Sequence, residues 1–461
     1  VTRPDRYVLR TVLIVALGGF LFGFDASVIA GVITFVEKEF SLGKIEMGWA
    51  VASLTLTATL SIMVAGPLAD RYGRRRMLHA AAVVFTVSAL MSASASDFTM
   101  LILARLLSGL GVGAALVVAP MYIAEISPAA VRGRMVSINQ LHVVVGISAA
   151  FFSNWLILKI GHADLPMFTA MRFEEWNWRW MLGIGAVPSV IFFVLLFTVP
   201  ESPRWLAMHG RLDVARSVLS RAHGEALAES ELAEVRTSLA HEQGKTDVSP
   251  RELLAPELRR VVTIGLGVGI LQQITGINAV FFYAPVIFEH AGASADAAFA
   301  QAVYVGLVNL VFTVIAMLLI DRLGRRPLLM MGTAGIALSM GLLAWGFRGA
   351  SMEPALVLIG VLAFVASFAV SLGPIMWVLL SEIFPNRVRG VAISFVGLVN
   401  STVSFGVQLV FPWELTRLGN SWPWLIYGAF ALLGLLFIAR LVPETRGRSL
   451  EELEEALVRR A

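Results

Sequence analysis

The chain contains no cysteine, which excludes disulfides, thiolate metal sites and cysteine-linked lipids. Charge is also scarce. Asp, Glu, Lys and Arg make up 15% of the 461 residues against 57% hydrophobic, and the mean hydropathy is +0.78. These values lie outside soluble globular usage and exclude a water-solvated domain. No Walker loop, metal-ligand cluster or catalytic-triad pattern is present, so no enzyme, cofactor, metal or ATP dependence is expected. The net charge of +4 does not point to nucleic acid, because the arginines stand at the ends of apolar runs, as the positive-inside rule predicts.

What the chain has in abundance is long apolar stretches, at 9–35, 47–69, 77–96, 99–122, 134–160, 179–199, 261–290, 299–320, 328–347, 354–381, 389–411 and 422–442. Each can cross a hydrocarbon core of roughly 30 Å as an α-helix. The expected fold is therefore an all-α membrane protein of twelve transmembrane helices, with the lipid bilayer as its first partner. The first run follows Arg3, Arg6 and Arg10 in the manner of a signal peptide. It is too long for one, carries Asp25 and lacks a small-residue cleavage site, so a retained first helix is expected. Arg71, Arg74, Arg75, Arg76, Arg132, Arg134, Arg322, Arg325, Arg326, Arg387 and Arg389 all follow even-numbered runs. Both termini are accordingly expected in the cytoplasm. Trp176, Trp178 and Trp180 read as an interfacial aromatic belt.

An internal repeat organises the chain. Asp70-Arg71-Tyr72-Gly73-Arg74-Arg75-Arg76 returns 251 residues later as Asp321-Arg322-Leu323-Gly324-Arg325-Arg326-Pro327. Glu125 with Arg132-Gly133 returns as Glu382 with Arg389-Gly390, and Pro200-Glu201-Ser202 as Pro443-Glu444-Thr445. Three collinear repeats indicate a duplicated six-helix unit. The expected organisation is a bundle over 1–203, cytoplasmic amphipathic linker helices over 204–260, a second bundle over 261–442 and a cytoplasmic tail over 443–461 packed beneath it. The linker carries Leu212, Ala215, Val218 and Leu219 at helical spacing. Two such halves around a midplane site are the architecture of alternating access. Asp70, Arg71, Arg74, Glu125, Arg132, Glu201, Asp321, Arg322, Arg325, Glu382, Arg389 and Glu444 are expected as a cytoplasmic gate, with acid and base paired between the halves.

The most specific stretch is Gln272-Gln273-Ile274-Thr275-Gly276-Ile277-Asn278. It sets three amides inside a run that otherwise belongs in lipid. Polar groups at that depth are costly unless they face a bundle interior or a watery cavity, which makes the cluster a candidate site. Amides both donate and accept, as hydroxyls do, so an uncharged, hydroxyl-rich ligand suits them.

Taken together, these residues resemble the sugar porter family of the major facilitator superfamily over essentially the whole chain. The resemblance rests on Gly18 through Asp25, the Asp70 and Asp321 loops and Glu125 through Arg134. It also rests on Pro200-Glu201-Ser202-Pro203-Arg204, Gln272 through Asn278, Gly373-Pro374 with Trp377, and Pro443-Glu444-Thr445-Arg446-Gly447. It implies that a monosaccharide is hydrogen-bonded by Gln140, Gln272, Gln273, Asn278, Asn309 and Asn400, with Trp377 packed on a sugar face. Gly276, Pro285, Gly373 and Pro374 would weaken the seventh and tenth helices near that site. Three positions depart from the family pattern: His142, read as a satisfied core group; Phe282, where many relatives carry tyrosine; and Met317, in the place matching Gly66, which suggests looser helix approach in the second half.

Asp25 in the first span and Arg105 in the fourth are each costly at a helix centre, about 2.5–3.5 kcal/mol on insertion scales, so pairing is expected. Arginine does not deprotonate, which leaves Asp25 as the member able to exchange a proton. Proton-coupled members of the family resemble this chain in that pair, and proton symport follows as the expectation. Facilitative uniport, a membrane sugar sensor and a drug/proton antiporter are the alternatives. The short tail after Pro443 speaks against the sensor, and the glutamine pair against the antiporter. A monomer in a bacterial plasma membrane is expected.

Overall fold

The computed structural model describes residues 6–163, 166–243, 249–348, 353–448 and 450–459. Arg3, Ser449 and Arg460 lie outside the described residues. Among the described residues every regular element is helical. The first half holds α1 (Arg6–Glu39), α2 (Lys44–Tyr72), α3 (Arg74–Ala93), α4 (Phe98–Ile126) and α5 (Arg132–Gly161), then the short α6 (Pro166–Ala170), α7 (Asn177–Gly183) and α8 (Ala186–Leu196). The linker forms α9 (Pro203–Met208), α10 (Leu212–His223) and α11 (Glu225–Gln243). The second half holds α12 (Arg259–Ile274), α13 (Ile277–His290), α14 (Ala295–Leu323), α15 (Arg325–Gly346), α16 (Pro354–Val370), α17 (Leu372–Ile383), α18 (Arg389–Arg417) and α19 (Trp422–Leu441), followed by α20 (Leu450–Glu454). Twelve spans among the described residues are long and apolar enough to cross a membrane. They coincide with the twelve runs read from the sequence.

Three spans are broken, each for a local reason. In the sixth, Pro188 has no N–H for the Ile184 carbonyl, which instead takes the Val187 N–H at 3.1 Å, and α7 and α8 separate there. In the seventh, Gly276 adopts a left-handed conformation with φ 87° between α12 and α13. Tyr283 then leaves helical geometry at φ −121°, two residues before Pro285. In the tenth, Ser371 (φ −123°, ψ −96°) separates α16 from α17 just ahead of Gly373-Pro374. Helix starts are set by side chains elsewhere. Asp97 accepts from the Met100 N–H at 2.9 Å at the head of α4; this bond, with a further one from Ser96, holds its carboxyl below the usual aspartate range.

The packing divides into two compact units. One comprises Val1–Ala26, Leu56–Ala150 and Trp176–Asp247; the other comprises Ser27–Thr55, Phe151–Glu175 and Val248–Ala461. In the first, α3 packs on α4, α7 and α8, and α10 packs on α9 and α11. The apolar positions Ala215, Val218, Leu219 and Ala222 of α10 are buried. In the second, α15 lies against α16 and α19, and α12 against α18. The tail packs on α12 and α17 through the buried Leu453 and Leu457. The second unit also takes in the ends of α1, α2 and α5 remote from the arginine clusters. There Phe35 meets Phe299, and Lys159 pairs with Asp296 at 2.7 Å.

Two sequence expectations are corrected by the packing. Trp176 is exposed, but Trp178 is buried at 1%, with the Arg179 guanidinium 4.1 Å from its ring centroid, so the three tryptophans do not form one belt. A Cβ placed on Gly66 would meet nothing within 4 Å. That glycine marks no close approach, and Met317 at the matching position requires no looser packing.

Candidate functional site

The amide cluster is buried in the second unit, where α12, α13, α17 and α18 converge. Gln272, Gln273 and Asn400 are 4%, 8% and 5% exposed, and Asn278 is half-buried. Gln272 Nε2 donates to the Leu372 carbonyl at 2.9 Å and to the Gly373 carbonyl at 3.3 Å. Asn400 Nδ2 donates to the Gly269 carbonyl and to Gln272 Oε1, both at 2.8 Å. Because carbonyls only accept, these bonds fix which way both amides point. The orientation propagates from there. Gln273 Nε2 donates to Gln272 Oε1 and Asn400 Oδ1, both at 3.2 Å, and Asn278 Nδ2 donates to Gln273 Oε1 at 2.8 Å and Ser404 Oγ at 2.6 Å. Both hydrogens of each of these amides are thus committed, while Asn278 Oδ1 keeps its full acceptor capacity. The breaks at Gly276 and Ser371 deliver this geometry: one places Asn278 at the head of α13, and the other brings the Leu372 and Gly373 carbonyls to Gln272.

Three other predicted ligands do not join the network. Asn309 is buried on α14 at 5%. Trp377 is 45% exposed on α17, with Gly397 of α18 beneath its ring. Gln140 is exposed on α5 in the first unit. His142 is half-buried and not in the core, its Nδ1 bonded to the Ile138 carbonyl at 2.9 Å. Phe282 is half-buried, and it is the neighbouring Tyr283 whose hydroxyl enters the site region, donating to the Gln408 carbonyl at 3.0 Å. Ser404, Gln408 and Thr55 extend the polar network. Sequence reading missed them, although Asn400, Ser404 and Gln408 share one face of α18 at intervals of four.

In the first unit, Arg105 is 1% exposed and its Nη1 donates to the main-chain carbonyl of Asp25 at 3.0 Å. The charged contact is longer, with Nη1 at 3.7 Å from Asp25 Oδ2. The Ser108 hydroxyl donates to that same Oδ2. A buried guanidinium held mainly by a neutral carbonyl leaves the carboxylate only loosely paired with it, while Ser108 holds that carboxylate.

The repeated motifs build the same cluster twice. Arg74 grips Glu125 through Nε at 3.0 Å and Nη2 at 2.9 Å, and meets Asp70 at 2.8 Å; the Ser202 hydroxyl donates to Glu125. Arg325 grips Glu382 at 3.2 and 2.8 Å and meets Asp321 at 3.3 Å, with the Thr445 hydroxyl donating to Glu382 at 2.6 Å. Among the described residues, each of these pairs joins members of one repeat. Arg71 stacks over Tyr72, the Arg322 carbonyl accepts from Arg446, Arg389 Nε donates to the Phe384 carbonyl at 3.1 Å, and Arg132 is exposed.

Glu201 and Glu444 occupy matching seats. Glu201 accepts from the Arg75 N–H at 3.0 Å, and Glu444 from the Arg325 and Arg326 N–H groups at 3.0 and 3.1 Å. Burial pushes the Glu444 carboxyl up, but the N–H groups of Arg446, Arg325, Arg326 and Thr445 outweigh it and hold it below the ordinary glutamate range. The stability this seat supplies is present above the unfolded-state pKa and lost as pH falls through the lower folded one. Each seat requires a glycine. Gly73 and Gly324 have φ 103° and 94°, and a Cβ there would stand 2.5 Å from Glu201 Oε2 and 2.6 Å from Glu444 Oε2. Gly324→Ala is therefore expected to cost about 1–3 kcal/mol from backbone strain, lowering the thermal unfolding midpoint in detergent. An unchanged midpoint would show that the carboxylate seat is not rigid.

Twelve apolar spans enclosing an uncharged polar cluster and a loosely held ion pair define a multi-pass membrane transporter and not an enzyme. The chain belongs to the sugar (and other) transporter family, whose profile matches residues 11–457. It is 37% identical to the arabinose-proton symporter of Bacillus subtilis over 96% of this chain and 93% of that protein. It is 36% identical to the D-xylose-proton symporter of Escherichia coli, over 98% and 96%, and 35% identical to the glucose transporter GlcP of Staphylococcus epidermidis, over 99% and 98%. Among solved structures, the inward open conformation of the xylose transporter XylE from E. coli matches with a TM-score of 0.84 and 33% identity, covering 98% of this chain and 100% of that one. XylE bound to 6-bromo-6-deoxy-D-glucose matches at 0.78 and 34%, covering 99% and 100%.

Proposed function

We propose that the chain is a secondary active transporter that imports a neutral monosaccharide, a hexose or pentose, by proton symport through alternating access. The observation that carries this reading is the amide cluster, whose buried groups are uncharged and hold spare acceptor capacity at Gln273, Asn278 and Asn400. Such a cluster suits hydroxyl donors, carries no charge to balance an ionic ligand and has no uncommitted N–H for an anion. Asp25 is the proton carrier and Arg105 its partner, and the Arg74–Glu125 and Arg325–Glu382 clusters brace the inner ends of the two halves. The relatives' names cover arabinose, xylose and glucose, so the reading stops at the class of monosaccharides. It places the protein as a monomer in a bacterial inner membrane with both termini in the cytoplasm.

Counterflow of a labelled pentose or hexose in proteoliposomes tests the substrate class. Unlabelled monosaccharides are expected to compete and apolar cations are not. The reverse pattern would make the chain a drug/proton antiporter.

A further inference from the structure

Ser404 and Gln408 are 5% and 1% exposed, and the proposed sugar site does not use them. Ser404 Oγ accepts from Asn278 Nδ2 at 2.6 Å and from Gln408 Nε2 at 2.8 Å. Gln408 Oε1 in turn accepts from Thr55 Oγ1 of α2 at 3.0 Å. A continuous hydrogen-bonded path thus runs from the amide cluster along one face of α18 to a different helix. At this level α2 and α18 touch directly. A Cβ on Gly48 would stand 2.0 Å from the Leu409 carbonyl oxygen, and the Trp49 ring meets Phe405 edge-on at 5.7 Å.

A ligand hydroxyl oxygen needs an N–H, and every N–H in the cluster is already engaged. Gln272 and Asn400 donate to backbone carbonyls of other helices, which are fixed acceptors that cannot turn away to let the amide go. Asn278 donates only to side chains and is half-buried, whereas Gln273, which also donates to side chains, is 8% exposed. Asn278 is therefore the amide that can release a hydrogen, and Ser404 holds one of the two it has.

We propose that Ser404, Gln408 and Thr55 form a relay that couples occupancy of the amide cluster to the hold on the α2 segment around Gly48 to Thr55. A ligand hydroxyl that claims Asn278 withdraws one of the two donors that converge on Ser404 Oγ, which leaves that oxygen to Gln408 and firms Gln408 and its bond to Thr55. The two donors compete for one oxygen, whereas the bonds from Thr55 through Gln408 to Ser404 run head to tail and reinforce one another. The coupling is reciprocal: weakening the Thr55 end leaves the Ser404 oxygen more available to Asn278, which tightens that grip and weakens ligand binding. Thr55 and Gln408 are positioning residues that touch no ligand. The relay rests on the sugar reading of the cluster.

Equilibrium binding of D-xylose, L-arabinose and D-glucose to the purified full chain, followed by intrinsic tryptophan fluorescence, tests the relay. Thr55→Val is expected to raise Kd roughly three- to ten-fold, at most the worth of about one hydrogen bond. Thr55→Ser retains the donor and should restore the native Kd. Ser404→Ala frees Asn278 directly and should instead lower Kd. An unchanged or lowered Kd in Thr55→Val, or a raised Kd in Ser404→Ala, while the native chain binds a sugar, overturns the relay alone. A native chain that binds none of the three overturns the sugar reading and the relay with it.

Discussion

Asp25→Asn is expected to abolish gradient-driven sugar accumulation and to leave counterflow intact. The basis is that Arg105 stays protonated, so within this pair only Asp25 can take up and release a proton. Asparagine keeps the shape and can still accept from the Ser108 hydroxyl, and the main-chain carbonyl of residue 25 still receives Arg105 Nη1. The side chain's charge is lost while the contacts that place the helices remain. One proton moving down 100 mV supplies about 2.3 kcal/mol, and one pH unit adds about 1.4 kcal/mol. Together, roughly 3.7 kcal/mol supports accumulation of about 500-fold, which should fall to equilibration in the variant. Labelled uptake with an imposed gradient, set beside counterflow, reads both quantities. Accumulation that survives in Asp25→Asn would remove Asp25 from the coupling step.

Asn400→Ala is expected to weaken sugar binding by about 100-fold or more. Asn400 touches more of the cluster than any single contact to a ligand would require. Its loss removes a candidate ligand contact together with the anchor to the Gly269 carbonyl and to Gln272 Oε1 that orients the neighbouring amides. Two hydrogen bonds to the bound ligand, at about 1.5 kcal/mol each, suffice for that change in Kd. Asn309→Ala, at a buried residue outside the network, should cost less than about tenfold. Titration of both variants with a monosaccharide distinguishes them. Equal losses would show that ligand contact, and not network integrity, sets affinity.

How far the sequence carried these conclusions follows from the physics of each feature. The twelve spans were legible because a bilayer demands about twenty apolar residues per helix, and the breaks in the seventh and tenth because Gly276 tolerates a left-handed turn and Pro285 and Pro374 lack an N–H; the break before Pro188 in the sixth was not read. The three amides of Gln272, Gln273 and Asn278 stood out because polar groups are costly in lipid. Ser404, Gln408 and Thr55 were hidden because single hydroxyls and amides are common between membrane helices; only the four-residue spacing from Asn400 signalled the first two, and nothing signalled Thr55. The acids and arginines were read as pairing between the halves, and sequence spacing alone does not say which partner each takes. Each half carries both members, Arg74 with Glu125 and Arg325 with Glu382, and a duplicated unit that folds on its own pattern can satisfy both internally.

Proton movement driven by sugar, recorded as current in proteoliposomes on a solid-supported membrane, tests proton symport most directly. Adding a transported monosaccharide with no ion gradient imposed is predicted to carry positive charge inward with the sugar, and Asp25→Asn is predicted to silence the steady current. Sugar uptake with no accompanying current in the native chain would contradict symport and make the protein an equilibrative carrier whose Asp25–Arg105 pair is only structural.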